Sequence, residues 1–380
     1  MRRVFVNGWI LTEAGLTDDS ALLVDGDRIV DVVSASASQY RDAERIDIGG
    51  KMLLPGFIDT QVNGGGGVLF NNEPTLEAIS TIGRAHLRYG TTGFLPTLIS
   101  DDLEIVAQAV AAVQAALDAR VPGVLGIHIE GPFLSAERKG VHDPAKFREL
   151  DESAFRLLTS LRGGRTLVTL APETTTPDII RRLTAAGVIV CAGHTNATCQ
   201  VIRTALDHGL RGFTHLFNAM SQLTAREPGV VGAALMDRDS WCGIIVDGRH
   251  VDPLVLKLAL RCKPLDRFML VTDAMANVGT EDTSFELQGR SIRVDQNSYV
   301  DEFGTLAGSH MDMAGSVRNA IDLLGVTLPD AVRMASEHPA AFLGLASEMG
   351  SISAGRRADL VVADEQLNVL ATWIGGQMAP

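Results

Sequence analysis

Four side chains in this sequence have types and spacings that suit hydrolytic chemistry. Glu130, His194, His215 and Asp273 each stand at or near the end of a short apolar run. Carboxylates and imidazoles are costly to place beside buried segments, so a gathered set of them calls for a reason. One glutamate with two histidines is a usual protein ligand set for a catalytic zinc ion, leaving one coordination position for water. His194 and His215 lie 21 residues apart, while Glu130 precedes His194 by 64 and Asp273 follows His215 by 58. The first gap is about one strand–helix unit and the other two are about two units each, which places the four on units three, five, six and eight. A lone histidine at a strand end ordinarily serves as a hydrogen-bonded loop residue. The metal reading rests on four polar side chains, three closing their runs and His215 within its own, arriving at one rim.

The elements that must carry them are repeated. Short apolar runs that stop abruptly recur at 53–61, 92–97, 123–130, 166–173, 188–194, 212–218, 241–247 and 268–273. Helical patterns fall between several of them, at 73–89, 103–120, 177–186, 197–208 and 252–261. Eight strands alternating with helices close into a (β/α)8 barrel, whose active site lies at the C-terminal strand ends. An open doubly wound sheet lacks its usual support, because no Gly-x-Gly-x-x-Gly follows the first run. The flanks hold short β-type runs separated by turn residues such as Asp25-Gly26-Asp27. The expected organisation is therefore a small β domain from 1–52 and 346–380 and an α/β barrel over 53–345, with a hairpin insertion at 278–300.

Composition narrows the partners. Lys plus Arg is 33 against 46 Asp plus Glu, a net charge of −13 that repels polyanions and argues against nucleic acid. No apolar run reaches about 18 residues, so no membrane span is expected. Residues 1–16 read as a strand rather than a targeting segment. Cys191, Cys199, Cys242 and Cys262 match neither a zinc ribbon nor a Cys-x-x-Cys pair and point to a reducing, cytoplasmic setting. His86 and His208 fall near helix C-termini, where the dipole favours a cation. His310 and His338 read as structural, and His128 as a support on the strand face of Glu130.

The surrounding residues are distinctive. Residues 128–134 read His-Ile-Glu-Gly-Pro-Phe-Leu, 192–196 Ala-Gly-His-Thr-Asn, 214–220 Thr-His-Leu-Phe-Asn-Ala-Met and 271–275 Val-Thr-Asp-Ala-Met. Together they resemble the N-acetylglucosamine-6-phosphate deacetylase family of the amidohydrolase superfamily, from Leu54-Pro55-Gly56-Phe57-Ile58-Asp59 to Gly355-Arg356-Arg357-Ala358-Asp359-Leu360. The resemblance implies hydrolysis of N-acetyl-D-glucosamine 6-phosphate to D-glucosamine 6-phosphate and acetate. The galactosamine epimer or another amide is the alternative substrate. It implies Glu130, His194 and His215 as ligands of one divalent ion per subunit, zinc first, with Fe2+, Co2+ or Mn2+ as substitutes. Asp273 becomes the acid and base, and His142 a neighbour of the substrate carbonyl. Gln61, Asn63, Asn218, Ala219 and Leu306 are implied substrate contacts. Arg226 and His250 are implied phosphate-binding cations supplied by the neighbouring subunit of a homodimer.

Many amidohydrolases carry His-x-His after strand one to hold a second metal, whereas this chain has Gln61-Val62-Asn63. Amides are poor zinc ligands, so one metal is expected. The fourth run ends Leu170-Ala171-Pro172-Glu173, without the lysine of hydantoinase- and dihydroorotase-like paired-metal sites. The non-enzymatic alternative is a barrel that only binds sugar phosphate, and an intact Asp273 with three ligands argues against it. A neighbouring cation is expected to keep Asp273 ionised.

Overall fold

The computed structural model describes residues 1–35, 42–295 and 298–379. Among them, eight parallel strands follow one another in chain order around a single sheet: Phe57–Val62, Thr91–Ile99, Gly126–Glu130, Arg165–Leu170, Ile189–Ala192, Gly212–Phe213, Trp241–Ile244 and Phe268–Leu270. Below they are barrel strands one to eight. Consecutive strands are joined by ladders such as Ile99 opposite Glu130 and Glu130 opposite Thr169. No ladder joins strand eight to strand one. That seam closes just beyond the strands, through Asp273 N–H to Gln61 O (3.0 Å), Asn63 N–H to Ala274 O (2.9 Å) and a bridge between Val62 and Ala274. Buried Asp59 clasps it from below, accepting from Thr272 Oγ1 (2.5 Å), Thr272 N–H (3.3 Å) and Gln61 N–H (3.1 Å).

Inside the barrel, chemistry is layered. The floor is apolar: Ile58, Leu95, Leu125, Leu167, Ile189, Trp241 and Met269 pack together and onto Phe342 and Leu343. Above it lies a hydroxyl and imidazole layer, with Thr169 Oγ1 bonded to both His128 Nε2 (2.8 Å) and Thr214 Oγ1 (2.6 Å). The apolar floor thus lies at one end, and Glu130, His194, His215 and Asp273 gather at the other. The outer helices start on side-chain caps, among them Thr75, Thr176, Thr198 and Asp252, each accepting a backbone N–H of the first turn.

Several expectations need correction. The run at 53–61 is two strands, because Met52–Pro55 pairs with Trp9–Thr12 and Leu360–Ala363 in a six-stranded sheet built from both ends of the chain. Most barrel strands stop short of the runs' polar ends, so His194, His215 and Asp273 lie beyond strands five, six and eight rather than on them. The insertion is not one hairpin: Ser284–Leu287, Arg290–Asp295, Ser298–Val300 and Leu306–Ser309 form a four-stranded antiparallel sheet. Helices Gly229–Met236 and Leu328–Ala335 also go unforeseen, the former because it is buried on nearly all sides and shows no amphipathic period. No helix among the described residues is long and apolar enough to cross a membrane.

Candidate metal centre

Glu130 ends barrel strand three, and its Oε1 lies 2.9 Å from His215 Nε2 and 3.2 Å from His194 Nε2. The two imidazole nitrogens are 3.1 Å apart, and all three side chains are buried. His194 Nδ1 sits 2.9 Å from the Arg138 carbonyl, so it carries the proton and leaves a lone pair on Nε2. His215 Nδ1 is buried without a partner. Three electron-rich atoms facing one another call for a shared cation. A tetrahedral zinc site with bonds of about 2 Å spaces its donor atoms about 3.3 Å apart, so the trio fits a divalent ion. Burial works to raise Glu130, but its two histidines hold it well below the usual carboxylate range. Burial likewise works to lower His215, and the Glu130 carboxylate outweighs it and raises the imidazole.

The local backbone turns these residues inward by an unusual route. His194, His215 and Asp273 have φ of 48°, 33° and 51°, as do Phe217 (79°) and Ala219 (48°) in the same loops. Only a few per cent of non-glycine residues adopt this left-handed region. It is held by loop-to-loop bonds: Ser135 N–H to His194 O (3.0 Å), Thr195 N–H to Ala219 O (3.0 Å) and Ser221 N–H to Thr195 O (3.2 Å).

Asp273 faces the cavity with one oxygen anchored. Its Oδ1 accepts from Asn63 Nδ2 (2.7 Å) and Gln61 Nε2 (3.1 Å), and the Gln61 amide also reaches Glu130 Oε2 at 3.2 Å. Gln61 is therefore a strut between the two carboxylates, outside the cavity lining. Burial, then the Glu130 charge, push the Asp273 carboxyl up against Asn63's donation. His142 is buried, its ring centroid 4.2 Å from that of His194, and burial followed by the His194 charge keeps it well below the usual imidazole range. Burial lowers His128 to about 4, and its Nε2 is taken by Thr169 Oγ1 at 2.8 Å, outside the Glu130, His194 and His215 group.

A cavity of about 340 Å³ opens above these groups and is also lined by Asn218, Ala219, His250 and Leu306, with Glu137 and Arg138 on one side. His250 thus lines this chain's own cavity. Its Nδ1 is 2.6 Å from Asp247 Oδ2, which also accepts from Ser298 Oγ of the insertion (2.9 Å). Burial opposes ionisation of Asp247, but His250 and the N–H groups of Arg249 and His250 bring it down to about 2. Arg226 is exposed and does not line the cavity. His86 is fully buried, accepts no helix-end role as a cation and is lowered by burial; its Nε2 meets Gly64 O at 2.9 Å. Unforeseen in the sequence are Ser100, Asp247 and the residues Thr305, Ala307 and Gly308 that flank Leu306 in the wall. Only Asp247, the last residue of an apolar run, leaves a sequence trace.

Residues 52–379 match the amidohydrolase family. An N-acetylgalactosamine-6-phosphate deacetylase of Shewanella sp. (strain ANA-3) is 43% identical over 97% of this chain and 94% of its own length. An N-acetylglucosamine-6-phosphate deacetylase of Haemophilus influenzae is 35% identical over 99% of both. Among solved structures, N-acetylglucosamine-6-phosphate deacetylase from Pasteurella multocida superposes with a TM-score of 0.96 at 36% identity, covering 100% of each chain. An Asp-to-Ala variant of the Mycobacterium smegmatis enzyme, in complex with N-acetyl-D-glucosamine-6-phosphate, gives 0.90 at 33% identity, covering 100% of this chain and 98% of that one.

Proposed function

The chain belongs to the amidohydrolase family, and from that premise we propose that it hydrolyses the acetamide of N-acetyl-D-glucosamine 6-phosphate to give acetate and D-glucosamine 6-phosphate. The observation that carries this reading is the convergence of Glu130, His194 and His215 within 4.8 Å, beside an anchored Asp273 in one cavity. A divalent ion, zinc first, bound by those three side chains would supply Lewis acidity toward water and a carbonyl oxygen. Asp273 takes a proton from the attacking water as its oxygen bonds to the carbonyl carbon. His142 donates a hydrogen bond to the oxygen that gains charge. Asp273 then returns the proton to nitrogen as the C–N bond breaks, so acetate and the amine leave with no net change at the enzyme. Asn63 and Gln61 keep Asp273 aimed through both transfers.

Asn218, Ala219 and Leu306 are the cavity groups assigned to the sugar, and His250 to its phosphate. We assign Arg226 to the phosphate of a partner subunit in a homodimer, because it is exposed and outside its own cavity. Exposed Leu254 and Leu258, one turn apart on the helix after His250, offer apolar surface for such a contact. Four unpaired cysteines suit a cytoplasmic setting. The Shewanella relative favours a second reading, the galacto epimer. Acetate release from both 6-phosphates and from the unphosphorylated sugars tests both. The faster 6-phosphate identifies the epimer, and no release from either overturns the proposal.

A further inference from the structure

Barrel strand two is the longest of the eight, yet the chemistry above uses nothing at its end. The first residue beyond it is Ser100, fully buried. Its backbone N–H points at His142 Nδ1 (3.3 Å), and its Oγ lies 2.8 Å from the same atom. A backbone N–H is a donor under all conditions, so the nitrogen it faces must accept. Nδ1 therefore carries the lone pair, and the hydroxyl has room to donate to it as well. We propose that Ser100 is a positioning residue that fixes His142 as a neutral imidazole with its proton on Nε2, the ring nitrogen left to the cavity.

Without that anchor His142 has two neutral tautomers and a free ring, and only one arrangement offers N–H to an oxyanion. The surroundings are built around the hydroxyl. A Cβ on Gly131, the residue after Glu130, would lie 2.2 Å from Ser100 Oγ, so only glycine leaves the hydroxyl its place. Gln288 of the insertion donates to Ser100 O at 2.8 Å and fixes the same residue from the other side. Strand two thus reaches the chemistry through another residue's ring.

The inference rests on the reading of His142 as the oxyanion donor, and a cycle of variants in the metal-loaded enzyme separates the two. Ser100→Ala should lower kcat about tenfold with KM changed less than about twofold, the loss of one good hydrogen bond to the working ring. Ser100→Thr, which keeps the hydroxyl, should recover most of that loss. Calorimetric titration with an analogue bearing a tetrahedral phosphonamidate in place of the acetamide should show affinity about tenfold weaker in Ser100→Ala. Affinity for D-glucosamine 6-phosphate, titrated alongside, should be unchanged and shows that the variant is folded. In a His142→Gln background, Ser100→Ala should cost nothing further. An equal loss in that background, or weaker binding of product and analogue alike, overturns the role of Ser100 alone. Undiminished kcat in His142→Gln overturns the reading of His142 and the proposal with it.

Discussion

At the scale of single residues, the decisive object is one carboxylate oxygen. Asn63 and Gln61 both donate to Asp273 Oδ1, which leaves Oδ2 for proton transfer. Asp273→Asn should retain metal and substrate affinity and lose at least about a hundredfold in turnover, read by acetate release. Asn63→Ala keeps the carboxylate but frees it to swing, so kcat should fall about tenfold with KM little changed. Wild-type kcat in that variant would show that orientation is set elsewhere. Elemental analysis should find about one divalent ion per chain, and Glu130→Ala should lose it. Two tightly held ions per active chain would overturn the single-ion site. Glu130, His194 and Asp273 are legible in the sequence because each closes an apolar run, and His215 because it interrupts one. Ser100 is not, since a serine or aspartate after a strand is ordinary turn chemistry and carries no mark of the ring it holds.

At the scale of elements, the point of interest is the join between the first and last barrel strands, which Asp59 clasps in place of a ladder. Burial raises Asp59 to about 7, against hydrogen bonds from Thr272 and Gln61. Between an unfolded value near 4 and this folded value, the native state holds a proton that the unfolded chain has lost. Stability should therefore fall as pH rises through that window and level off above about 7. Asp59→Asn has no such proton to lose. Urea midpoints of wild type and variant at about pH 5 and about pH 8 should show wild type losing on the order of 2 kcal/mol relative to the variant. A gap independent of pH would mean that Asp59 is ionised throughout. The eightfold alternation is legible because buried parallel strands are continuous apolar runs. Their ends are not: hydrophobicity continues past the last ladder bond, as in 188–194, where the strand itself is Ile189–Ala192. Nor does 53–61 reveal that its first residues serve the terminal sheet, because apolar residues suit either sheet equally.

At the scale of the molecule, the proposed homodimer turns on Arg226, exposed on a chain whose own cavity is lined by His250. A mixed dimer settles it. One chain carries Arg226→Ala and the other Asp273→Asn, and one of its two sites then combines an intact Asp273 with an intact Arg226 from its partner. Recovered activity, absent from both parent homodimers, is the expected outcome; none under conditions of proven subunit exchange would place the phosphate site within one chain. The left-handed backbone at His194, His215 and Asp273 has a further bearing, on how such a protein changes over time. Selection for function fixes three side chains in a region that glycine enters freely and other residues, histidine and aspartate included, enter at some cost, so activity is purchased against heat resistance. Asp273→Asn replaces a carboxyl that burial raises with a neutral residue at home at positive φ, and the metal-free variant should melt several degrees above metal-free wild type by calorimetry. A lineage released from the need for turnover would then drift downhill toward sturdier descendants that still grip the ligand and no longer cut it.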